Sequence, residues 1–467
     1  MSKFKIKMPT AYTILFSIII IVAIFTWIIP AGQYDYLENG EPISGSYHLV
    51  EQNGQTFGDI AMAPLNGFYE AIDVAAFILM VGGFLGVMTK IGAIDAGISN
   101  IVKKLNGKEK ILIPILMILF ALGGTTFGMS EETIAFYPLL LPIIVAAGYD
   151  SITAVSIIFL GAGAGVLGST VNPFATGIAS GFAGISLGDG IVVRTIILVV
   201  TLGVCIWYVS SYANKVKNDP SKSIVYDMHE ANLKHFSLKE GSSVELTANH
   251  KKALTIFAIT FIIMVYSVIP FSEMGIPLYT LSWWFPQLSA LFFVSAIILG
   301  IVCKLDENGI INSFVAGAAD LLGVSFIIGI SRGITVIMNS GNITGTILHW
   351  GENALSMAGS TFFVIITYII YLPLSFLIPS SSGLATLSMP IIAPLADFSG
   401  VARSLIVTAY QSANGLVNLI TPTSAVVMGS LAIGKIPYER WIKYIWKLLV
   451  IILIINVAII SLSTIML

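Results

Sequence analysis

Long apolar runs separated by short polar stretches make up most of the chain, and the first of them, Ala11 to Pro30, is 20 residues long. At about 1.5 Å rise per residue, such a run spans a bilayer as a helix. It follows Lys3, Lys5 and Lys7, and its length favours a retained first helix over a cleaved signal peptide, whose core is shorter and ends in a small-x-small exit. Lysine and arginine in the short loops then set the sides, because positive loops stay cytoplasmic. Ala31 to Glu70 has neither residue but carries Asp35, Glu38, Glu41, Glu51, Asp59 and Glu70, so it is expected outside and the N-terminus inside. Ala71 to Lys90 returns inward to Lys103, Lys104, Lys108 and Lys110, with Asp95 to Leu105 expected as a short amphipathic helix on that face.

Four apolar pieces follow, 111–122, 133–148, 152–184 and 190–212. The first two are shorter than the roughly 20 residues of a full span and are expected to form a re-entrant hairpin over 111–148, turning at Gly123 to Glu132. The third is interrupted by Gly161 to Gly177, GAGAGVLGSTVNPFATG. Glycine weakens a helix and proline removes a backbone donor, so the backbone is expected to open near Ser169, Thr170, Asn172 and Pro173. Open backbone at that depth is tolerated only in protein or against a water-filled cavity; a kink packed by its neighbours is the plainer alternative. Residues 213–252 carry seven lysines and Pro220 and read as a cytoplasmic linker, with His229, His235 and His250 solvated.

After a connecting helix and outer loop over 253–288, the spans are Ser289 to Cys303 and Phe314 to Asn339, followed by a surface segment at Gly341 to Ala358. A second hairpin is expected over 360–397 and a second broken helix over 405–434, opening around Asn414 to Thr423. Tyr444 to Leu467 then puts the C-terminus outside. Arg403 is the one outer residue against the charge rule.

Composition agrees: 56% of the residues are hydrophobic and 10% charged, against about a quarter charged in soluble domains. The net charge of −2 and the absence of a basic patch give no support to nucleic acid as a partner. Cys205 and Cys303 have no CxxC partner, so neither a disulfide nor a zinc framework is expected; no metal or cofactor is assigned.

The halves repeat. Gly92 and Gly341 lie 249 residues apart, as do Pro173 and Pro422, and Pro138 and Pro142 match Pro390 and Pro394. Since 71–90 runs inward and 314–339 outward, the copies are inverted in the membrane, and inverted repeats whose broken helices meet at the midplane are the architecture of secondary transporters. The expected fold is therefore an all-α polytopic membrane protein of two inverted-topology repeats, 1–212 and 289–467, each with a re-entrant hairpin and a broken transmembrane helix. Helix N-termini at the four breaks attract carboxylate, and exposed carbonyls coordinate cations. The candidate substrate-binding residues are Thr125, Thr126, Ser130, Glu131 and Glu132 at the first tip and Ser169, Thr170 and Asn172 at the first break. Ser380, Ser381 and Ser382 at the second tip and Asn414, Asn418, Thr421 and Thr423 at the second break complete the set. The acids stand out, because a charge at the bilayer centre costs at least about 2.5 kcal/mol and so faces a cavity; a solvated loop is the alternative. Asp73, Arg194, Asp320 and Arg332 are expected to pair structurally, with Asp73 and Asp320 in similar places in the two copies.

The stretches GGFLGVMTKIGAIDAGI, FALGGTTFGMSEETIAFYPLLLP, NPFATGIASG, FLIPSSSGLA and TAYQSANGLVNLITPTSAVVMG resemble the YfcC-type carriers, grouped with the anaerobic C4-dicarboxylate carriers in the ion transporter superfamily. The resemblance runs nearly end to end and is nearest the basic amino acid antiporters that exchange arginine for ornithine. It implies a homodimer in a bacterial cytoplasmic membrane, a scaffold part and an elevator-like part carrying the hairpins, and substrate held at the tips and breaks. The first tip departs from the Ser-Asn-Thr signature of the dicarboxylate branch, which speaks against a sodium-dicarboxylate site. A guanidinium is well matched by Glu131 or Glu132, whereas a dicarboxylate would gain from a basic residue and none lies in the four motifs. The alternative is a sodium- or proton-coupled carrier of C4-dicarboxylates or other carboxylates. An enzyme is not expected: HExxH is absent, and Asp150 and Asp189, the nearest thing to an intramembrane protease pair, fall on opposite sides. A channel would not need inverted hairpins.

Overall fold

The computed structural model describes residues 11–37, 42–43, 45–94, 96–97, 100, 109–236, 246–268, 271, 276–281, 283, 285–355 and 360–466. Most of the amphipathic segment expected at Asp95 to Leu105 lies outside them. Helices make up nearly all of the rest. The first copy of the repeat contains α1 (Ala11–Ile28), α2 (Phe57–Glu70), α3 (Ile72–Ile91), α4 (Glu109–Phe127), α5 (Tyr137–Ala146), α6 (Ser151–Gly168), α7 (Ile178–Ala183) and α8 (Ile191–Asn218). Between the copies lie α9 (His229–Phe236) and α10 (Ala248–Val268). The second copy contains α11 (Phe285–Val302), α12 (Glu307–Asp320), α13 (Leu322–Ser340), α14 (Ile343–Leu355), α15 (Ser360–Leu377), α16 (Ser381–Phe398), α17 (Arg403–Val417), α18 (Ala425–Ile433) and α19 (Tyr438–Met466). Six of these, α3, α6, α8, α11, α13 and α19, are long and apolar enough to cross a membrane.

Packing between elements reproduces the repeat. Helix α1 packs on α13 as α11 packs on α3, α2 on α13 as α12 on α3, α4 on α6 as α15 on α17, and α6 on α8 as α17 on α19. The broken helices α6 and α17 run antiparallel, Gly163 meeting Leu419 and Leu167 meeting Gly415, so equivalent elements point in opposite directions. Two groups of helices result: a crossed pair, α2–α3 against α12–α13, flanked by α1, α10 and α11, and a hairpin group built from α4 to α8 and α15 to α19.

The crossed pair corrects the sequence reading. Residues 31–70 were expected as an outer segment, and 314–339 as a span. Instead 57–70 form α2, which meets α3 at Ala71, and α12 meets α13 at Leu321 in the same way. The two kinked helices lie antiparallel along their length. Ala63 and Gly67 face Gly333 and Gly329, Ser325 Oγ donates to the Ala75 carbonyl at 3.4 Å, and Gly82 and Gly86 face Gly317 and Ser313. A Cβ at Gly67 would stand 2.3 Å from the Gly329 carbonyl oxygen and one at Gly82 2.6 Å from that of Gly317. Small residues let backbones approach in lipid, where apolar burial gives helices no reason to associate. The equivalence also shifts: Glu70, not Asp73, matches Asp320, each being the last residue of its helix.

In the hairpin group α6 is the centre, 89% of its spanning window buried against 28% for α8 and α19. The glycines of GAGAG lie inside α6 and do not open it. A Cβ at Gly165 would sit 2.2 Å from the Ala121 carbonyl oxygen, and one at Gly124 the same distance from that of Ala162. Helix α4 therefore continues past Gly123, where a turn was expected, to Phe127. Helix α8 likewise runs past residue 212, with Lys215 and Lys217 in its last turn where they complement the helix dipole. The final helix starts at Tyr438 and not at Tyr444.

Charged residues outside the centre serve the framework. Asp150 caps α6, accepting from Thr153 N and Oγ1 at 2.9 and 2.7 Å, from Tyr212 Oη at 2.6 Å and from the linker's Ser223 Oγ at 2.7 Å. Asp189 lies before the opposite end of α8, about 32 Å from Tyr212 along 21 residues of helix, so the two aspartates do not form a pair. Arg403, the exception to the charge rule, is held by both oxygens of Asp397 and donates to the Ala183 carbonyl at 2.6 Å. A short β-hairpin, Gly32–Gln33 with His48–Leu49, leads into α2 and is fixed to α14 by Tyr47 stacked on His349 at 3.9 Å and by Tyr34 Oη on Glu352 at 2.8 Å.

Candidate functional site

Each hairpin tip rests on the break of its own copy. At the first, Gly128 turns the chain at φ +74°, a left-handed conformation, and leaves no room for a side chain because Asn172 Oδ1 lies 2.7 Å from where a Cβ would be. Ser130 follows, then Glu131 and Glu132 in a short 3₁₀ helix, Glu131–Phe136. At the second, Ser380 caps α16, its Oγ accepting from Gly383 N at 3.2 Å. Asn418 joins this tip to its break, Nδ2 donating to the Pro379 carbonyl at 3.1 Å and to Asn414 Oδ1 at 3.0 Å. Between the tips, the breaks and the crossed pair lies a cavity of about 250 Å³.

Nine of the residues expected from sequence line it: Ser130, Glu131, Glu132, Asn172, Ser380, Ser381, Ser382, Asn414 and Asn418. The other six hold the walls. Thr125 Oγ1 meets Thr170 Oγ1 at 3.0 Å and accepts from Thr170 N at 2.9 Å, fastening the first hairpin to the first break. Thr423 Oγ1 does the same at the second, donating to the Phe376 carbonyl at 2.5 Å and meeting Thr421 Oγ1 at 2.7 Å. Ser169, left-handed at φ +33°, pairs with Thr176 across the break at 2.6 Å, and Thr126 bonds its own helix at Leu122. The backbone departs from helix only after Gly168 and Val417, so Asn414 presents its amide from within α17.

Sequence reasoning missed Glu70, Asp73 and Arg332, which the crossed pair brings to the same cavity, with Phe285 from the start of α11. Asp73 and Arg332 were expected to find structural partners; neither has an ion pair or hydrogen bond among the described residues. The antiparallel pairing of α2–α3 with α13, which brings them together, was the missing signal, since no local motif marks it. Arg194, by contrast, is structural as expected. Its guanidinium donates to the carbonyls of Asp189, Thr170 and Leu187 at 2.9, 3.2 and 2.5 Å, satisfying backbone left open by the break.

The cavity is electrostatically two-sided. At the first tip the helix N-terminus is occupied by the chain's own carboxylate, Glu132 Oε2 accepting from Ser130 N at 3.0 Å. Glu131 is partly exposed and makes no hydrogen bond or ion pair among the described residues. Glu70 and Asp73 add to this acidic side. At the second tip the N-terminus of α16 has only serines, and a helix N-terminus with free N–H groups favours an anion. Arg332 is the one basic residue lining the cavity among the described residues. Asn418 Oδ1 has no hydrogen-bond partner among the described residues. The arrangement suits a small molecule carrying a cationic group and a carboxylate.

The chain is 36% identical over 495 aligned residues to a Haemophilus influenzae protein described as "Uncharacterized protein", covering 96% of this chain and 95% of that one. It is 28% identical over 484 residues to the Escherichia coli "Putative basic amino acid antiporter YfcC", covering 93% and 92%. Among solved structures it is similar to the Alcanivorax borkumensis YdaH transporter, with TM-score 0.43, 13% identity and 97% and 98% coverage. It is also similar to Neisseria gonorrhoeae MtrF, whose report describes a class of antimetabolite efflux pumps, with TM-score 0.42, 16% identity and 99% and 96% coverage. Residues 8–465 match the family described as the C4-dicarboxylate anaerobic carrier, and on that match the chain belongs to this family and is a secondary transporter of the membrane.

Proposed function

We propose that the chain exchanges basic amino acids, arginine for ornithine, by an elevator-like movement of the hairpin group against the crossed pair. The observation that carries this reading is the charge of the cavity, where, among the described residues, Glu70, Asp73, Glu131 and Glu132 face a single Arg332. A guanidinium or ammonium side chain neutralises the acidic side, and a carboxylate accepts a guanidinium bidentately. The α-carboxylate takes Arg332 and the N-terminus of α16, and the α-amino group takes Asn418 Oδ1. The name of the Escherichia coli relative supports the same class of substrate. Exchange needs no coupling ion, because arginine and ornithine carry the same net charge near neutral pH. The same reading takes the working unit as a homodimer in a bacterial cytoplasmic membrane, N-terminus inside and C-terminus outside, on the lysine asymmetry of the loops and the resemblance.

A second reading has its own support: Arg332 is a basic residue at the site, and the family is described by its C4-dicarboxylate carriers. It is a carboxylate carrier coupled to sodium or protons. Labelled arginine uptake into proteoliposomes preloaded with ornithine, with fumarate or with nothing, each with and without sodium, separates the two. Uptake that needs ornithine inside and ignores sodium supports exchange; no response to ornithine, with a sodium gradient driving fumarate, overturns it in favour of the second.

A further inference from the structure

The two copies are equivalent in sequence order and packing but not in what they face. Glu70 closes α2 and lines the cavity. Asp320 closes α12 at the equivalent place, 250 residues on, and is not among the cavity residues. It lies within electrostatic reach of His235 on α9, as does Lys435, which follows α18. Those neighbours belong to one end of the hairpin group: α9 packs on α5, Asn232 of α9 donates to Ser151 Oγ at 3.3 Å at the start of α6, and Arg440, five residues beyond Lys435, pairs with Asp227 at 3.0 Å. So the hairpin group presents its centre to Glu70 and its end to Asp320, although the crossed pair itself is close to symmetric along Ala63 to Gly86 and Ser313 to Gly333.

Two inverted copies that hold unlike conformations exchange them when the transporter turns over, since the mirrored arrangement is built from the same contacts. We infer that Asp320 is a substrate-binding residue of the opposite-facing state, taking at the second stop of the hairpin group the place that Glu70 holds at the first. Arg332 has no such counterpart, because the matching part of α3, 81–89, carries no lysine or arginine. The cationic end of the substrate thus meets a carboxylate of the crossed pair on both sides of the membrane, while its carboxylate meets an arginine on one side only. The consequence is a site whose affinity for the zwitterion differs between its two faces. This assignment rests on the proposed basic amino acid substrate for its chemistry and on the repeat alone for its geometry.

Sided vesicles test it. With Glu70→Gln, the half-saturating arginine concentration is expected to rise about tenfold or more on the side to which the present cavity opens, the loss of one charge-assisted hydrogen bond, and to stay within about twofold on the other. Asp320→Asn is expected to show the reverse, and Asp320→Glu to restore most of the affinity. An Asp320→Asn effect that is absent on both faces, or falls on the same face as Glu70→Gln, overturns the assignment. A readout independent of substrate comes from Glu70→Cys and Asp320→Cys in a background lacking Cys205 and Cys303, each labelled by an impermeant thiol reagent. Labelling from opposite sides supports the exchange of roles even if arginine proves not to be the substrate, in which case only the substrate reading falls; labelling of both from the same side overturns it.

Discussion

Glu131→Gln removes one charge and almost no volume from the acidic side of the cavity. Glu131 is the better handle than Glu132, because Glu132 is buried and already committed to Ser130 N at 3.0 Å, whereas Glu131 is partly exposed at the cavity with no partner among the described residues. A hydrogen bond between charged groups contributes about 1.5–3 kcal/mol, and about 1.4 kcal/mol is a factor of ten. The half-saturating concentration for arginine in exchange against internal ornithine is therefore expected to rise about 10- to 150-fold. Glu132→Gln is expected to do less, since the amide oxygen of glutamine still accepts from Ser130 N and keeps the tip in shape. The assay is initial-rate counterflow of labelled arginine into ornithine-loaded proteoliposomes, with reconstituted protein quantified so that loss of folding is not read as loss of affinity. If both variants keep the arginine half-saturation within twofold of the parent, the acidic side does not bind the cation, and the basic amino acid reading fails with it.

Other expectations follow from the same geometry. Arg332→Gln is expected to raise the half-saturating concentration for arginine while leaving that for agmatine, which lacks the α-carboxylate, unchanged in competition assays; equal losses for both would remove Arg332 from carboxylate recognition. Gly124→Val would drive a side chain into the Ala162 carbonyl, 2.2 Å from the site of its Cβ; overpacking costs about 1–3 kcal/mol, to be seen as a lower melting temperature in detergent. Asp150→Ala leaves Tyr212, Ser223 and Thr153 without their acceptor and removes a helix cap, a loss of about 2 kcal/mol or more. It is expected to lower thermal stability and to speed proteolysis of the linker near Ser223, with arginine half-saturation unchanged in the folded fraction.

The hairpins and breaks could be read before any coordinates because their signals are local. Proline and glycine interrupt helices wherever they fall, and Glu131 and Glu132 in an apolar setting announce a cavity without reference to a partner. The serines of 380–382 and the amides of Asn414 and Asn418 were legible for the same reason. Where local signals mislead, they do so in a consistent way. Gly124, Gly161 and Gly165 look like helix breakers but serve close contact between α4 and α6, and a glycine spacing alone does not tell a break from a contact. Thr125, Thr170, Thr421 and Thr423 were expected as ligands because a hydroxyl at a tip is chemically ambiguous; Thr125, Thr170 and Thr423 hydrogen-bond the facing element, and Thr421 bonds Thr423.

What the sequence by itself determined is the all-helical membrane character, the doubled order of elements and the chemistry of the four motifs, all consequences of composition, spacing and chain order. What only the tertiary structure decided is which charges share the cavity. Glu70 and Asp73 flank the α2–α3 kink and Arg332 lies within α13, and they reach the site because α2–α3 and α12–α13 pair antiparallel, which sets α13 beside that kink. That pairing depends on glycines meeting backbone oxygens 227 to 270 residues away in the chain, and no property of either stretch alone encodes which partner it will meet.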